Sequence, residues 1–363
     1  MDEQVVEKVA GRDVPGVWDA VVVGGGAAGL SGAVALARSL RSVVVVDAGE
    51  PRNAPAAGVH NYLSRDGVPP RELTALGRRE LAGYGGTVVD GEAADARRLP
   101  GDGPARFEVV LHGGRVLRSR ALLVATGAVD ELPDVPGLRE RWGRDVLHCP
   151  YCHGWEVRGQ PIAVLATSPV SFHQTLMWRQ LSDEVTVVLH GAEPSPEQWE
   201  QFAARGVAVV DGPAAGVRVQ GGALTGVQLA DGHVVPARAL AVASRPLVRA
   251  GFLAGLGLRP VDVEVMGHVV GSALPAGPAG ATDVPGLRVA GNAADLVAQV
   301  GSSAAAGVLA GAALNADLVA DDAARAVAAR RARDSSPAAV FAPRSEAAVA
   351  ARVLGARAHG TSA

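Results

Sequence analysis

The stretch from Trp18 to Gly49 leaves little choice of fold. Ala20-Val21-Val22-Val23 is a continuous apolar run, as a parallel strand buried on both faces requires. Gly24-Gly25-Gly26-Ala27-Ala28-Gly29 then supplies Gly-x-Gly-x-x-Gly. The first glycine permits a sharp turn. The second lets the backbone approach a pyrophosphate, and the third lets helix pack on strand. The pattern predicts a helix from Ala27 to about Leu40, with a phosphate on the free N–H groups at its start. A second strand, Val43–Val46, ends in Asp47, where an acid accepts hydrogen bonds from a ribose. Strand, glycines, helix, strand and acid fall in register, which points to a bound dinucleotide. The bland alternative is a glycine-rich turn in a chain of small residues.

The segments that follow read as parts of the same site. Ala48, Arg52 and Asn53, then His60 and Asn61, lie in polar loops able to line a cofactor. A helix is expected over Arg71–Tyr84, and strands at Thr87–Asp90 (with Val89), Phe107–His112 and Val116–Leu117. Ala121–Val124 is another apolar strand, ending in Ala125-Thr126-Gly127. Pro133, Pro136 and Gly137 mark a crossing to a second domain. There, strand Pro161–Ala166, helix Ser171–Leu181 and strand Glu184–His190 repeat the first plan. Laid over it without gaps, Gly24, Gly26 and Gly29 fall on Ala166, Ser168 and Ser171, and Asp47 falls on Leu189. No arginine cluster follows to hold a 2′-phosphate, and Pro169 removes a donor N–H. The repeat therefore reads as a nucleotide fold that no longer binds a nucleotide well; a variant loop holding NADPH by other contacts is the alternative. Ser244-Arg245-Pro246 returns the chain to the first domain. Gly267–Val270 reads as an edge strand. Leu287–Ala290 runs into Gly291-Asn292, and a helix opens beyond Gln299-Val300, from Ser302 to about Leu318. Asp321–Ala363 reads as a tail, with Ser345 as a helix cap.

Between the two halves stands Cys149-Pro150-Tyr151-Cys152-His153, which holds both cysteines of the chain. Four readings are open for it. A redox dithiol suits the spacing, because both sulfurs lie at one helix start or tight turn and the reactive form is the thiolate. Cys-x-x-Cys-His is also a c-type haem attachment motif, a zinc site would need two more ligands, and two buried structural thiols are the plain alternative. His153 can move protons near neutral pH. His148 is a weaker candidate for that task. Trp142, Tyr151, Trp155 and Phe172 are the aromatic residues nearest the pair in sequence.

Length and charge set wider bounds. At 363 residues the chain is long enough for two domains. A formal net charge of -3 gives no reason to expect nucleic acid. The first sixteen residues lack the apolar core of a signal peptide, and no apolar run is expected to span a bilayer. The expected home is a reducing cytoplasm, where a lone close cysteine pair is more often catalytic than structural.

With these motifs assembled, the chain resembles the low-molecular-weight thioredoxin reductase family over roughly Asp19–Val319. The resemblance implies an α/β fold of two Rossmann-like (FAD/NAD(P)-binding three-layer ββα) domains, the second inserted in the first. It places an extension at 1–17, an FAD-binding domain at 18–130 and 247–320, and a pyridine-nucleotide-like domain with the cysteines at 131–246. A tail follows at 321–363. It implies FAD as cofactor, a homodimer and no metal. The residues it puts against FAD are Gly24, Gly26, Ala27, Ala28, Gly29, Asp47, Ala48, Arg52, Asn53, His60, Asn61, Val89, Ala125, Thr126, Gly127, Gly291, Asn292, Gln299 and Val300. Cys152 would lie against the flavin and Cys149 would exchange with substrate. The helix opening after Val300 would turn its positive end to a flavin carbonyl. The chain departs from the family pattern at three points. His153 replaces the usual Asp, Gly291-Asn292 replaces Gly-Asp, and the second glycine motif with its His-Arg-Arg stretch is missing. These departures resemble the branch of dithiol oxidases that close the disulfides of gliotoxin and holomycin. The expected activity is oxidation of a small dithiol, with oxygen as acceptor and hydrogen peroxide as product. An NADPH- or ferredoxin-driven reductase and a non-catalytic redox sensor are the alternatives.

Overall fold

The computed structural model describes residues 16–101, 103–333 and 343–354. In chain order, β1 (Trp18–Val23), α1 (Ala27–Arg38), β2 (Val43–Asp47), α2 (Pro70–Gly83) and β3 (Thr87–Asp90) come first. β4 (Ala93–Arg98), β5 (Phe107–Leu111) and β6 (Val116–Val124) form a meander. β7 (Ala128–Glu131), α3 (Leu138–Arg141) and β8 (Val146–Leu147) lead to α4 (Pro150–His153), a single turn. A second round runs β9 (Ile162–Ala166), α5 (Pro169–Arg179), β10 (Val185–Leu189), α6 (Pro196–Arg205) and β11 (Ala208–Asp211). Next come β12 (Ala214–Gln220), β13 (Ala223–Leu229), β14 (Val234–Pro236), β15 (Ala239–Val242) and β16 (Arg245–Val248). The last elements are β17 (Val261–Val265), β18 (His268–Ala273), β19 (Leu287–Val289), α7 (Val300–Arg333) and α8 (Pro343–Leu354).

Two sheets share one topology. The first is ordered β3-β2-β1-β6-β5-β4, with β19 also on β6; the second is ordered β11-β10-β9-β15-β8. In both, the first strand of the round pairs in parallel with strands on each side. All of β8 to β15 lies between β6 and β19, and β19 pairs back onto β6. The second Rossmann-like domain is thus inserted in the first. β1 and β2 are apolar almost throughout because each is covered on both faces. The core of the first sheet packs Val21, Val44, Leu122 and Phe107, and the faces of the second pack Leu165 and Leu240, and Trp178, Phe172 and Phe202.

Several expectations change. Val116–Leu117 and Ala121–Val124 are one nine-residue strand. Its first half pairs antiparallel with β5 and its second half in parallel with β1, so the polar Arg118–Arg120 stretch does not break it. The strand expected at Gly267–Val270 is interior, since β18 lies between β17 and β16. Ser345 falls inside α8 and does not cap it. α7 opens at Val300 and continues to Arg333, well past Leu318, because nothing in its alanine-rich sequence breaks it.

α7 also corrects the expectation about apolar length. By length and composition alone, Val300–Ala332 could cross a membrane, with a best-window hydropathy of 1.4. Its first half is nonetheless a packing helix. A Cβ on Gly307 would stand 1.9 Å from the Ala28 carbonyl oxygen, and one on Gly311 would stand 2.5 Å from that of Gly32. The chain forms one compact unit through Asn315 and a second from Ala316 on.

Gly307→Ala should therefore push α7 off α1. We expect a loss of about 1–3 kcal/mol, the usual cost of overpacking, read as a lower midpoint in thermal or urea unfolding.

Candidate active site

The glycine turn is built by close backbone contact. Gly24 has φ +109°, and a Cβ there would lie 2.2 Å from the Ala125 oxygen; a Cβ on Gly29 would lie 1.8 Å from the Gly24 oxygen. Nothing stands within 4 Å of a Cβ built on Gly26. The start of α1 therefore opens into a cavity of about 1210 Å³. That exceeds the ~300–1,000 Å³ of an ordinary small-molecule pocket, as an extended dinucleotide requires. The N–H groups at the α1 start suit a pyrophosphate, since a helix N-terminus favours anions. The residues present fit FAD.

Most residues expected at the cofactor line this cavity: Gly24, Gly26, Ala27, Ala28, Asp47, Ala48, Arg52, Asn53, His60, Ala125, Thr126, Gly127, Gly291, Asn292, Gln299 and Val300. Three lie outside its lining. Gly29 packs beneath the turn, and Val89 is buried in the core of the first sheet. Asn61, at φ 58°, turns its amide to the Tyr151 carbonyl oxygen at 2.8 Å and to Gln299 Oε1 at 3.4 Å. Other side chains have partners within the protein. Asn292 Nδ2 donates to the carbonyls of Asp295, Leu296 and Ala298 and so shapes that loop. Asp47 Oδ1 accepts from the N–H groups of Gly25 and Gly49, and its other oxygen accepts from Arg78. Arg78, which also lines the cavity, carries no motif that would single it out from sequence.

The same cavity reaches the cysteines. Cys149, Cys152 and His153 line it, with His148, Tyr151 and Trp142. Of the other two nearby aromatics, Trp155 is exposed and Phe172 is in the core. Cys149 is the N-cap of α4, with Pro150 at the first helical position, where a missing N–H costs nothing. The N–H groups of Cys152 and His153 both donate to the Cys149 carbonyl at 3.2 Å. Gly154 lets the turn pack down: a Cβ there would meet Leu181 Cδ1 at 2.2 Å. Both cysteines are thiols and half-buried. The Cys152 S–H donates to Cys149 and lowers its pKa to about 7, against the opposing effect of burial. The N–H groups of Cys152 and Tyr151 and the charge of Arg52 add to the lowering. Cys152 is pushed far up by giving that hydrogen bond and by burial. The reduced pair thus carries its thiolate on Cys149.

A polar chain stands behind the sulfurs. Arg52 forks onto Asp130 at 2.8 and 2.7 Å and donates to the Leu296 carbonyl. Asp130 also accepts from Ser244 Oγ at 2.7 Å, and Ser244 Oγ lies 3.3 Å from His148 Nδ1. Burial alone would raise Asp130, but Arg52 holds it below the usual carboxylate range. Burial lowers His148 and His153, keeping both imidazoles neutral at neutral pH. His60 lies 3.2 Å from Asp66 and 3.5 Å from Glu156. Sequence reading missed Asp130 and Ser244. Asp130 follows Ala125-Thr126-Gly127 closely, but its pairing across to Arg52 leaves no trace in either segment.

The second turn lacks the geometry of the first. Ala166 has no positive φ to match Gly24, and Pro169 occupies the first position of α5. Ser171, at the place of Gly29, is fully buried.

A doubled Rossmann-like fold, a cavity opening on a glycine-rich helix start, and a polarised cysteine pair on its wall are the architecture of the flavin-binding disulfide oxidoreductases. The chain belongs to the pyridine nucleotide-disulphide oxidoreductase family, whose pattern matches residues 18–246, and FAD is its cofactor. A solved structure named HlmI is 43% identical, covers 90% of this chain and 100% of its own, and superposes with a TM-score of 0.81. An oxidoreductase from Agrobacterium tumefaciens is 33% identical over 84% of this chain and 99% of its own, with a TM-score of 0.76. Thioredoxin reductase aclD of Aspergillus oryzae is 35% identical over 49% of this chain and 58% of its own length. The chain spans about half the length of the curated relatives it matches.

A thiol with a pKa near 7 reacts at neutral pH, since the thiolate is the nucleophile. Alkylation of the reduced protein by iodoacetamide should rise with pH through a midpoint near 7. Cys152→Ala should move that midpoint upward, because it removes the S–H donor. Mass spectrometry of the labelled peptide checks both.

Proposed function

We propose that the protein is an FAD-dependent dithiol oxidase that closes a disulfide in a small dithiol, with oxygen as the electron acceptor. The observation that carries this reading is the single cavity joining the glycine turn at Gly24–Gly29 to the cysteines. The likeness to HlmI supports it, as does the resemblance to dithiol oxidases in the Cys149–His153 motif. The altered turn at Ala166–Pro169 supports oxygen over a nicotinamide as partner, since it offers fewer free N–H groups to a pyrophosphate. The thioredoxin reductase names of several relatives favour the second reading, a disulfide reductase driven by NADPH or ferredoxin.

In the forward reaction a substrate thiolate attacks Cys149 of the oxidised pair, and Cys152 leaves as a thiolate that takes up a proton. The second substrate thiol displaces Cys149, so the substrate departs as a cyclic disulfide and the pair is left reduced. Exchange of this kind proceeds through thiolates, and the hydrogen bond from Cys152 keeps Cys149 a good leaving group. FAD, when bound, would supply the two-electron acceptor that returns the pair to its disulfide, with oxygen as the final oxidant and hydrogen peroxide as the product. His153, neutral through burial, takes the proton of an incoming thiol and returns it. We place the enzyme in the cytoplasm as a homodimer, in keeping with its lone exchangeable cysteine pair and its thioredoxin reductase-like relatives.

The purified yellow protein should bleach with a small dithiol under nitrogen and recover its colour in air with peroxide release. Rapid bleaching by NADPH alone overturns the oxidase reading and restores the reductase. Cys149→Ser should keep the flavin spectrum and lose turnover. His153→Ala should lower turnover by about 10²–10⁴-fold, as loss of an acid–base group does.

A further inference from the structure

His148 follows β8 and stands directly before Cys149. β8 pairs in parallel with β15, Val146 on Leu240 and Leu147 on Ala241, which brings His148 beside Val242. β7 and β16, the strands that cross between the two domains, pair antiparallel with Asp130 opposite Pro246. That pairing brings Asp130 to Ser244.

The hydrogen bonds at this junction decide where the His148 proton sits. Arg52 forks onto Asp130, and Asp130 accepts the Ser244 hydroxyl at 2.7 Å. A serine has one hydroxyl proton, and here the carboxylate holds it. Towards His148 Nδ1, 3.3 Å away, the Ser244 oxygen can therefore only accept. The Val242 carbonyl, also 3.3 Å from Nδ1, can only accept as well. The Ser244 N–H is the one group that asks Nδ1 to accept, and at 3.4 Å it is the most distant. Two acceptors against one donor put the proton on Nδ1 and leave Nε2 with its lone pair. Burial keeps the ring neutral. His148 lines the cavity, and its Nε2 has no partner among the described residues and stays open to water.

The proton count of the reaction has a place for such a group. Oxidation of a dithiol releases two protons with its two electrons. One ends on Cys152. Cys149 is left as the thiolate, so the pair has no seat for the second.

We propose that His148 Nε2 takes this second proton, with Ser244 and Asp130 as the positioning residues that fix its tautomer. The second S–H of the substrate gives its proton to Nε2 while its sulfur closes the product disulfide. The bond from substrate to Cys149 breaks with its electron pair on Cys149. The reduced site then holds one proton on Cys152 and one on His148, and both leave with the two electrons when the pair returns to its disulfide. Asp130 favours and Arg52 opposes the charge the ring gains. This rests on the dithiol-oxidising reading and adds a base to His153, which serves the first thiol.

Stopped-flow bleaching of the holoprotein by dithiothreitol under nitrogen tests the proton step. His148→Gly should keep the flavin spectrum and slow bleaching by about 10²–10⁴-fold, the range for loss of an acid–base group. Added imidazole should restore speed in proportion to its free base. Asp130→Asn should slow bleaching without rescue by imidazole, since the ring still fills its place. In ¹⁵N spectra of histidine-labelled holoprotein, His148 should carry its proton on Nδ1. Asp130→Asn should move it to Nε2, because an amide can donate to Ser244 and turn that hydroxyl towards Nδ1. Full-rate bleaching in His148→Gly, slow bleaching that imidazole leaves unchanged, or a proton on Nε2 in the unmodified protein overturns the proposal alone. Should His148→Gly lose FAD, the tautomer and the Asp130→Asn rate decide. An unmodified protein that fails to bleach takes the dithiol reading down with it.

Discussion

The architecture depends on how closely backbone can approach backbone around α1. Gly24 lies under Ala125, Gly29 lies under Gly24, and Gly307 and Gly311 lie on Ala28 and Gly32. At each contact a β-carbon would stand between 1.8 and 2.5 Å from a carbonyl oxygen, closer than any side chain can sit. These contacts seat α1 between the first sheet and α7 and hold its start open to the cavity. The cofactor cradle and the helix packing are one construction.

The chemistry at the other end of the cavity comes from an asymmetry between two like groups. Cys149 and Cys152 share one short turn, yet one thiol is lowered and the other raised. The cause is direction: Cys149 caps the helix and receives hydrogen bonds from the backbone and from Cys152, while Cys152 gives one. Arg52 adds positive potential, moderated by its fork onto Asp130. Once the pair is reduced, this asymmetry makes Cys149 the better leaving group, which suits its release in the exchange proposed for it.

The two halves share one plan and differ at their first turns. Their strand orders match around β1 and β9, so packing was retained. The left-handed glycine of the first turn has no counterpart at Ala166, and Pro169 replaces an N–H donor. What the second half offers the cavity is instead the cysteine turn, with Gln174 and Met177 of the neighbouring α5.

The sequence by itself determined both Rossmann-like units, the helix at Ala27, the cofactor turn and the dithiol. Each of these is written in a run of adjacent residues whose period or spacing has a local physical meaning. The same local reading misplaced β18 as an edge, broke β6 in two and stopped α7 early, because those outcomes depend on neighbours distant in the chain. Only the tertiary structure decided that Arg52 and Ser244 both hold Asp130 and that Asp47 is shared with Arg78. A hydrogen bond between residues far apart in sequence needs the two positions brought together in space, and neither residue's immediate neighbours specify the other.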